Sequence, residues 1–467
     1  MPHYDLLVIG TGPGGQKAAI QGAKLGKKVG IIERKMVLGG VCINTGTIPS
    51  KSLREAVLYL SGFRQRNIYG GEYRLKKTIT IEDLAFRANH VIKHEIQTVQ
   101  QQMARNQVDM YFGTASFLDP HRLQIQTSNR TFELTSDFFI IAVGTEPARP
   151  PEIPFDDQTI IDTDGLLSLR HIPKSLVIVG GGVIGTEYAS MLAALGVPVT
   201  LIDKRPRLLE FVDTEIIETL QQQMVKLGIT LYHDEEVVAI TRNRSQAVQV
   251  SLRRNPPLHT TTLLYAIGRV GATAALNLKL IGLQPDARGR LIVNEHFQTT
   301  LPHIYAAGDV IGFPALASTS MQQGRHAASH AFGRLDRVDT ALLPYGIYAI
   351  PEISMVGRNE EELKQADVPY GVGIAHYKEI ARGQLMGDEI GMLKLLFHRH
   401  TRHLLGVHAI GEGATELIHI GQAVIAFHGK IDYFIDTVFN YPTLAECYKV
   451  AALDGMNRLP RPWIPYL

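Results

Sequence analysis

Two glycine-rich turns predict an α/β chain with two Rossmann-like dinucleotide-binding units. Each turn lies between an apolar strand and a helix and is followed by an acid 23 residues after its first glycine. From about residue 341 the pattern changes to alternating strands and helices with no such turn, which predicts an α+β C-terminal domain. A chain of 467 residues exceeds one compact core, and 45% apolar with 20% charged residues describes an ordinary globular protein. Lys+Arg 47 against Asp+Glu 45 leaves almost no net charge, so neither nucleic acid nor a membrane surface is expected as a partner. Apolar runs such as residues 138–143 are too short to span a bilayer. The first strand begins too early to leave room for a targeting peptide. Two cysteines, Cys42 and Cys447, cannot build a disulfide framework, and a cytoplasmic location is expected.

In the first unit, Leu6-Leu7-Val8-Ile9 runs into Gly10-Thr11-Gly12-Pro13-Gly14-Gly15 and an Ala-rich helix. Val29-Gly30-Ile31-Ile32 then ends at Glu33. Gly10 permits the turn, Gly12 lets the backbone approach a pyrophosphate, and Gly15 lets the helix pack closely on the strand. The helix N-terminus then faces the phosphates, and Glu33 can accept hydrogen bonds from a ribose diol. Thr80 can cap a helix over residues 80–106, whose stripe of Leu84, Ala88, Val91, Ile96, Val99 and Met103 packs on its own domain. Residues 138–143 form a strand ending at Gly144, and Pro147, Pro150, Pro151 and Pro154 mark an exit from the domain.

The opening pattern then returns. Leu176-Val177-Ile178-Val179 leads to Gly180-Gly181-Gly182-Val183-Ile184-Gly185, a helix, and a strand ending at Asp203. A repeated fingerprint at equal spacing implies two dinucleotides in one chain and electron transfer between them. Asp203 suits a free ribose 2′-OH, while Lys204 and Arg205 offer positive charge to a 2′-phosphate, so both NAD and NADP are expected at this turn. Simple solvation of the two basic residues is the alternative. The unit closes in Ala266-Ile267-Gly268-Arg269, echoing Ala142-Val143-Gly144.

After the first unit comes Gly39-Gly40-Val41-Cys42-Ile43-Asn44-Thr45-Gly46-Thr47-Ile48-Pro49-Ser50-Lys51. It resembles the redox-active segment of the flavoprotein disulfide reductases, in which two cysteines flank four residues. Here Cys42 is present and Thr47 holds the second position. Ile304-Tyr305-Ala306-Ala307-Gly308-Asp309 resembles that family's second flavin-nucleotide motif, and the motifs together span residues 5 to 450. The resemblance implies FAD held by Gly10, Gly12, Gly15, Glu33, Cys42, Lys51, Gly144 and Asp309, with Asp309 on the ribityl chain. It implies NAD(P) held by Gly180, Gly182, Gly185, Asp203, Lys204, Arg205 and Gly268. It places Lys51 beside the flavin with Glu187 as its carboxylate partner. It also implies an FAD-binding domain over 1–154 and 271–340, an NAD(P)-binding domain inserted over 155–270, and a dimerisation domain over 341–467. At least a homodimer is then expected.

Family members carry a His-Pro…Glu motif near the C-terminus, whose histidine serves the thiols. Here Tyr441-Pro442-Thr443-Leu444-Ala445-Glu446 puts Tyr441 in its place. A phenol titrating near ~10 is poorly matched to general-base work at neutral pH. Thr47 and Tyr441 both remove parts of the disulfide half-reaction, and neither touches the flavin or nicotinamide half. Cys42 is then a remnant that fills space. The candidate catalytic positions are Lys51, Glu187, Thr47 and Tyr441. Together they resemble the branch of the family that exchanges hydride between NADPH and NAD+ through FAD. That chemistry needs stacking of the rings but no acid or base. Alternatives are a flavin reductase for another acceptor, a dihydrolipoamide dehydrogenase, and a non-catalytic nucleotide sensor. His398, His400, His403 and His408 fall on a hairpin whose tip carries two arginines, and no metal is expected there.

Overall fold

The computed structural model describes residues 1–242, 247–334 and 342–459. Its first sheet has a parallel core in the order Asp109–Phe112, Val29–Glu33, His3–Ile9, Thr131–Ile141 and Ile304–Ala306. Leu6, Leu7 and Val8 are completely buried, as a parallel strand covered by helices on both faces requires. Thr131–Ile141 is long enough to leave this core and continue into an antiparallel meander with Arg122–Gln126 and Thr114–Asp119.

The second sheet is wholly parallel, in the order Thr230–Tyr232, Val199–Ile202, Leu176–Val179, Thr262–Tyr265 and Ile160–Asp162. Ile304–Ala306 then pairs with Phe139–Ile141, so the chain returns to the first sheet only after finishing the second. The fold is therefore α/β, with one Rossmann-like unit inserted in the other. The two stretches that echo each other in sequence meet at the crossing: Thr145–Pro147 pairs antiparallel with Arg269–Gly271. Backbone amides of Ala148 and Ala272 donate to the carbonyls of Gly268 and Gly144 and lock the ribbon at both ends.

The C-terminal sheet is antiparallel, in the order Tyr345–Ile347, Ile353–Gly357, Leu404–Ile410, Met392–His398 and Tyr370–His376. Helices Ala414–Ala426 and Glu446–Arg458 cover it around a core that includes Leu393, Leu395, Phe397 and Val407. The last helix begins at Glu446, after a turn in which the Thr443 hydroxyl donates to the Asn440 carbonyl. His408 is buried on the hairpin with Nε2 at 2.9 Å from the Arg358 carbonyl, apart from the exposed His400 at the tip.

The long helix is Ile81–Arg105, with Thr80 and Asp83 forming a reciprocal capping box. It packs along Thr47–Leu60, the helix that carries Lys51. Among the described residues no helix is long and apolar enough to cross a membrane.

Candidate active site

The two glycine turns are built alike. Gly10 and Gly180 have φ of +107° and +111°, which an L side chain rarely adopts. A Cβ on Gly15 would sit 1.9 Å from the Gly10 carbonyl oxygen, and one on Gly185 2.0 Å from that of Gly180. The helix therefore starts close against the strand in both units. A Cβ on Gly12 or Gly182 would meet nothing within 4 Å, so that side of each turn is open. Helices Pro13–Lys24 and Val183–Ala194 carry no side-chain cap. Their first-turn amides are thus left for a pyrophosphate to satisfy. Gly144 and Gly268 also have left-handed φ and open surroundings. Sequence patterning missed a third close approach: helix Ala317–Ala331 packs on Pro13–Lys24, with the Cβ position of Gly324 only 2.0 Å from the Gly14 carbonyl oxygen.

The two acids that end the second strands differ. Glu33 Oε2 accepts from the amide and hydroxyl of Thr11 at 3.2 and 2.5 Å, and among the described residues Oε1 accepts only from the Lys35 amide at 3.0 Å. A carboxylate offers about four acceptor positions, so Glu33 keeps one for a ribose hydroxyl. Asp203 keeps none. Its Oδ2 accepts from the Gly181 amide at 2.5 Å and Arg205 Nη2 at 2.7 Å, and its Oδ1 from the amide and Nε of Arg205, both at 2.8 Å. Burial raises the Asp203 pKa, but the Arg205 guanidinium and these amides outweigh it and hold the carboxyl below its usual range. Lys204 is exposed beside the pair.

Lys51 and Glu187 lie far apart in sequence and meet in space. Lys51 Nζ donates to both Glu187 oxygens at 2.9 and 2.8 Å, with side-chain exposures of 26% and 4%. The C-terminal domain completes the arrangement. The Tyr348 amide donates to Glu187 Oε1 at 2.8 Å, and the Lys51 ammonium lies 4.9 Å from the centre of the Tyr348 ring. One turn further along the Lys51 helix, Arg54 forms a buried pair with Glu352 at 3.1 Å and donates to the Ala349 carbonyl at 3.0 Å. Three parts of the chain thus fix one ammonium group.

Cys42 lies on the short helix Gly40–Asn44 and Thr47 opens the next one. Burial pushes the Cys42 thiol up, against a hydrogen bond with the Thr47 side chain, which disfavours the thiolate needed for sulfur chemistry. Tyr441 is 68% exposed, and Phe427 and Val438 are still more exposed on the same domain. It is not packed into its own chain's site.

A polar chain that sequence patterning did not single out links the Cys42 segment to the ribbon. The Thr45 hydroxyl donates to Asp164 Oδ2 at 3.1 Å, and Asp164 Oδ1 lies 3.3 Å from Arg269 Nη1. Arg269 Nε donates to the Thr145 hydroxyl at 2.9 Å, which lies 3.4 Å from Asp309 Oδ2. Burial raises the Asp309 carboxyl against the opposing charge of Arg269. Thr145 is the one side-chain partner of its carboxylate among the described residues, which leaves Asp309 able to accept from a ligand hydroxyl. The position of Arg269, directly after Gly268 in the echoed motif, was the available signal.

Two uncapped helix starts beside open glycines, one in each Rossmann-like unit, suit an oxidoreductase that takes two dinucleotides. The family comparison agrees with this class. Residues 4–324 match the pyridine nucleotide-disulphide oxidoreductase family, and residues 343–452 match that family's dimerisation domain. The chain belongs to the pyridine nucleotide-disulphide oxidoreductase family. It is 52% identical to the soluble pyridine nucleotide transhydrogenase of Mycobacterium tuberculosis, over 98% of both chains. It is 45% identical to the protein of the same name from Pectobacterium atrosepticum, again over 98% of both. Among solved structures it is similar to RclA, an HOCl-induced flavoprotein disulfide reductase of Escherichia coli. That likeness has 28% identity and a TM-score of 0.85, covering 96% of this chain and 99% of the other.

Proposed function

We propose that this chain is an FAD-dependent NAD(P)+ transhydrogenase, exchanging hydride between NADPH and NAD+ in ping-pong fashion without a redox-active disulfide. The observation that carries this reading is the isolation of its sulfur. Thr47 stands where Cys42 would need a second thiol, and Cys447 is sealed in the C-terminal core with burial pushing its thiol up to about 12. The names of the full-length relatives support the same reading.

When bound, FAD supplies the hydride relay between the two nicotinamides. The open turn at Gly10, Gly12 and Gly15, together with Gly144, Cys42, Glu33 and Asp309, would hold it. Gly180, Gly182, Gly185, Asp203, Lys204, Arg205 and Gly268 would hold each nicotinamide nucleotide in turn. Lys51 keeps a positive charge where negative charge builds up, and Glu187 and Tyr348 keep that ammonium from reorienting. No side chain has to move a proton, which fits the exposure of Tyr441 and the raised Cys42 thiol.

The domain division is 1–154 with 271–340 for FAD, 155–270 for NAD(P) and 341–467 for dimerisation. A homodimer or larger assembly fits the dimerisation-domain match and the exposed Phe427, Val438 and Tyr441. A cytoplasmic location without nucleic-acid or membrane partners fits the unpaired cysteines and the near-zero net charge.

Purified protein given NADPH and an NAD+ analogue of distinct absorbance is expected to exchange hydride steadily with no thiol substrate present. Rapid turnover of dihydrolipoamide alongside negligible exchange would contradict the reading.

A further inference from the structure

Two equivalent acids, Glu33 and Asp203, end the same strand of the two nucleotide units, yet only Glu33 has an acceptor position to spare. All four positions of Asp203 are taken, three of them by Arg205. In this arrangement Asp203 cannot accept from the 2′-OH of NAD. The Arg205 fork is two-thirds covered, uses two of its five N–H donors on Asp203, and leaves three for another anion.

We propose that Arg205 is a two-position gate through which one site takes both nucleotides. Docked on Asp203, it turns a basic face, with Lys204, toward a ribose 2′-phosphate. Swung away, it frees Asp203 to receive the 2′-OH of NAD. This inference rests on the transhydrogenase reading, because only an enzyme using both nucleotides at one site needs the gate.

The backbone identifies the moving part. The Asp203 amide donates to the Tyr232 carbonyl at 2.9 Å, and the Glu235 and Asp234 amides donate to the carbonyls of Asp203 and Arg205 at 3.1 Å each. The neighbouring strand end therefore holds the turn, and only the side chain is free to swing. The guanidinium is 35% exposed but Asp203 only 5%, so opening bares a buried carboxylate that the incoming 2′-OH must satisfy. Opening is a cost that NAD bears and NADP does not.

The test is calorimetric titration of the flavin-loaded protein with NAD+ and with NADP+, for wild type, Arg205→Gln and Asp203→Asn. Arg205→Gln should bind NADP+ about 10- to 100-fold more weakly, having lost a charge-assisted fork. It should bind NAD+ about two- to fivefold more tightly, because nothing competes for Asp203. Asp203→Asn keeps an acceptor for the Gly181 amide. It should weaken NAD+ about tenfold. NAD+ affinity that is unchanged or reduced in Arg205→Gln overturns the gate, as does an equal loss for both nucleotides. If wild type exchanges hydride between both nucleotides while either outcome holds, the gate alone fails. If wild type binds only one nucleotide and exchanges none, the transhydrogenase reading fails and takes the gate with it.

Discussion

Lys51→Met is expected to lower the rate of hydride exchange about 100-fold, in line with removing one preorganised charge from a site where charge develops. FAD content should stay normal, because the turn at Gly10–Gly15, Glu33 and Asp309 is untouched. The flavin midpoint potential should fall, since the cation that favours added negative charge is gone. Glu187, only 4% exposed, would keep the Tyr348 amide but lose its cation. Lys51→Arg keeps the charge and should restore most of the potential, though with poorer geometry. Spectroelectrochemical titration of the two variants separates a charge effect from a packing effect. Equal potentials in wild type and Lys51→Met would remove Lys51 from the account.

Lys394→Met is expected to destabilise the fold by about 3–5 kcal/mol, because it strands the buried Asp213 carboxylate. Lys394 is 1% exposed on the C-terminal sheet. Its ammonium lies 2.9 Å from Asp213, 3.1 Å from Glu215 and 2.5 Å from Glu360. Asp213 caps the helix Thr214–Lys226 of the second nucleotide unit, so this cluster joins that unit to the C-terminal domain. Burial alone would raise the Glu360 pKa, but hydrogen bonds from Lys394 and the Tyr370 hydroxyl hold it down at about 2, against an ordinary 4.5. A depressed carboxylate contributes its full stability above its unfolded pKa and loses it as pH falls through the folded value. For wild type that loss runs from about 4.5 down to about 2. In Lys394→Met much of the contribution is missing already at neutral pH, and the acid transition should move upward. Scanning calorimetry between pH 7 and pH 3 checks both effects.

How far these features could be read from the sequence depended on how local their causes were. The turns at Gly10 and Gly180 were legible because the close helix starts at Gly15 and Gly185 are set within a few residues, although Gly10 and Gly180 also face the distant Ala142 and Ala266 carbonyls. The return of Ile304–Ala306 to the first sheet was legible only through its resemblance to a known motif, since three residues carry no periodicity. The echo of Gly144 and Gly268 was visible, but not that the echoing segments pair, because strand pairing is a long-range contact. Tyr348, Arg54–Glu352 and the Lys394 cluster stayed hidden for the same reason. Each joins residues more than 140 positions apart. At Asp203 the spacing showed an acid beside two bases but could not show that Arg205 saturates the acid, which depends on one rotamer.

The central claim is that hydride passes between nicotinamides with sulfur left out of the path. Anaerobic stopped-flow on Cys42→Ser tests it most directly. The flavin absorbance should bleach with NADPH in one rapid phase and return with NAD+, at rates within about twofold of wild type, since the protonated Cys42 thiol does no chemistry. A Cys42→Ser protein that retains full FAD, bleaches with NADPH, and then fails to recover with NAD+ would contradict it.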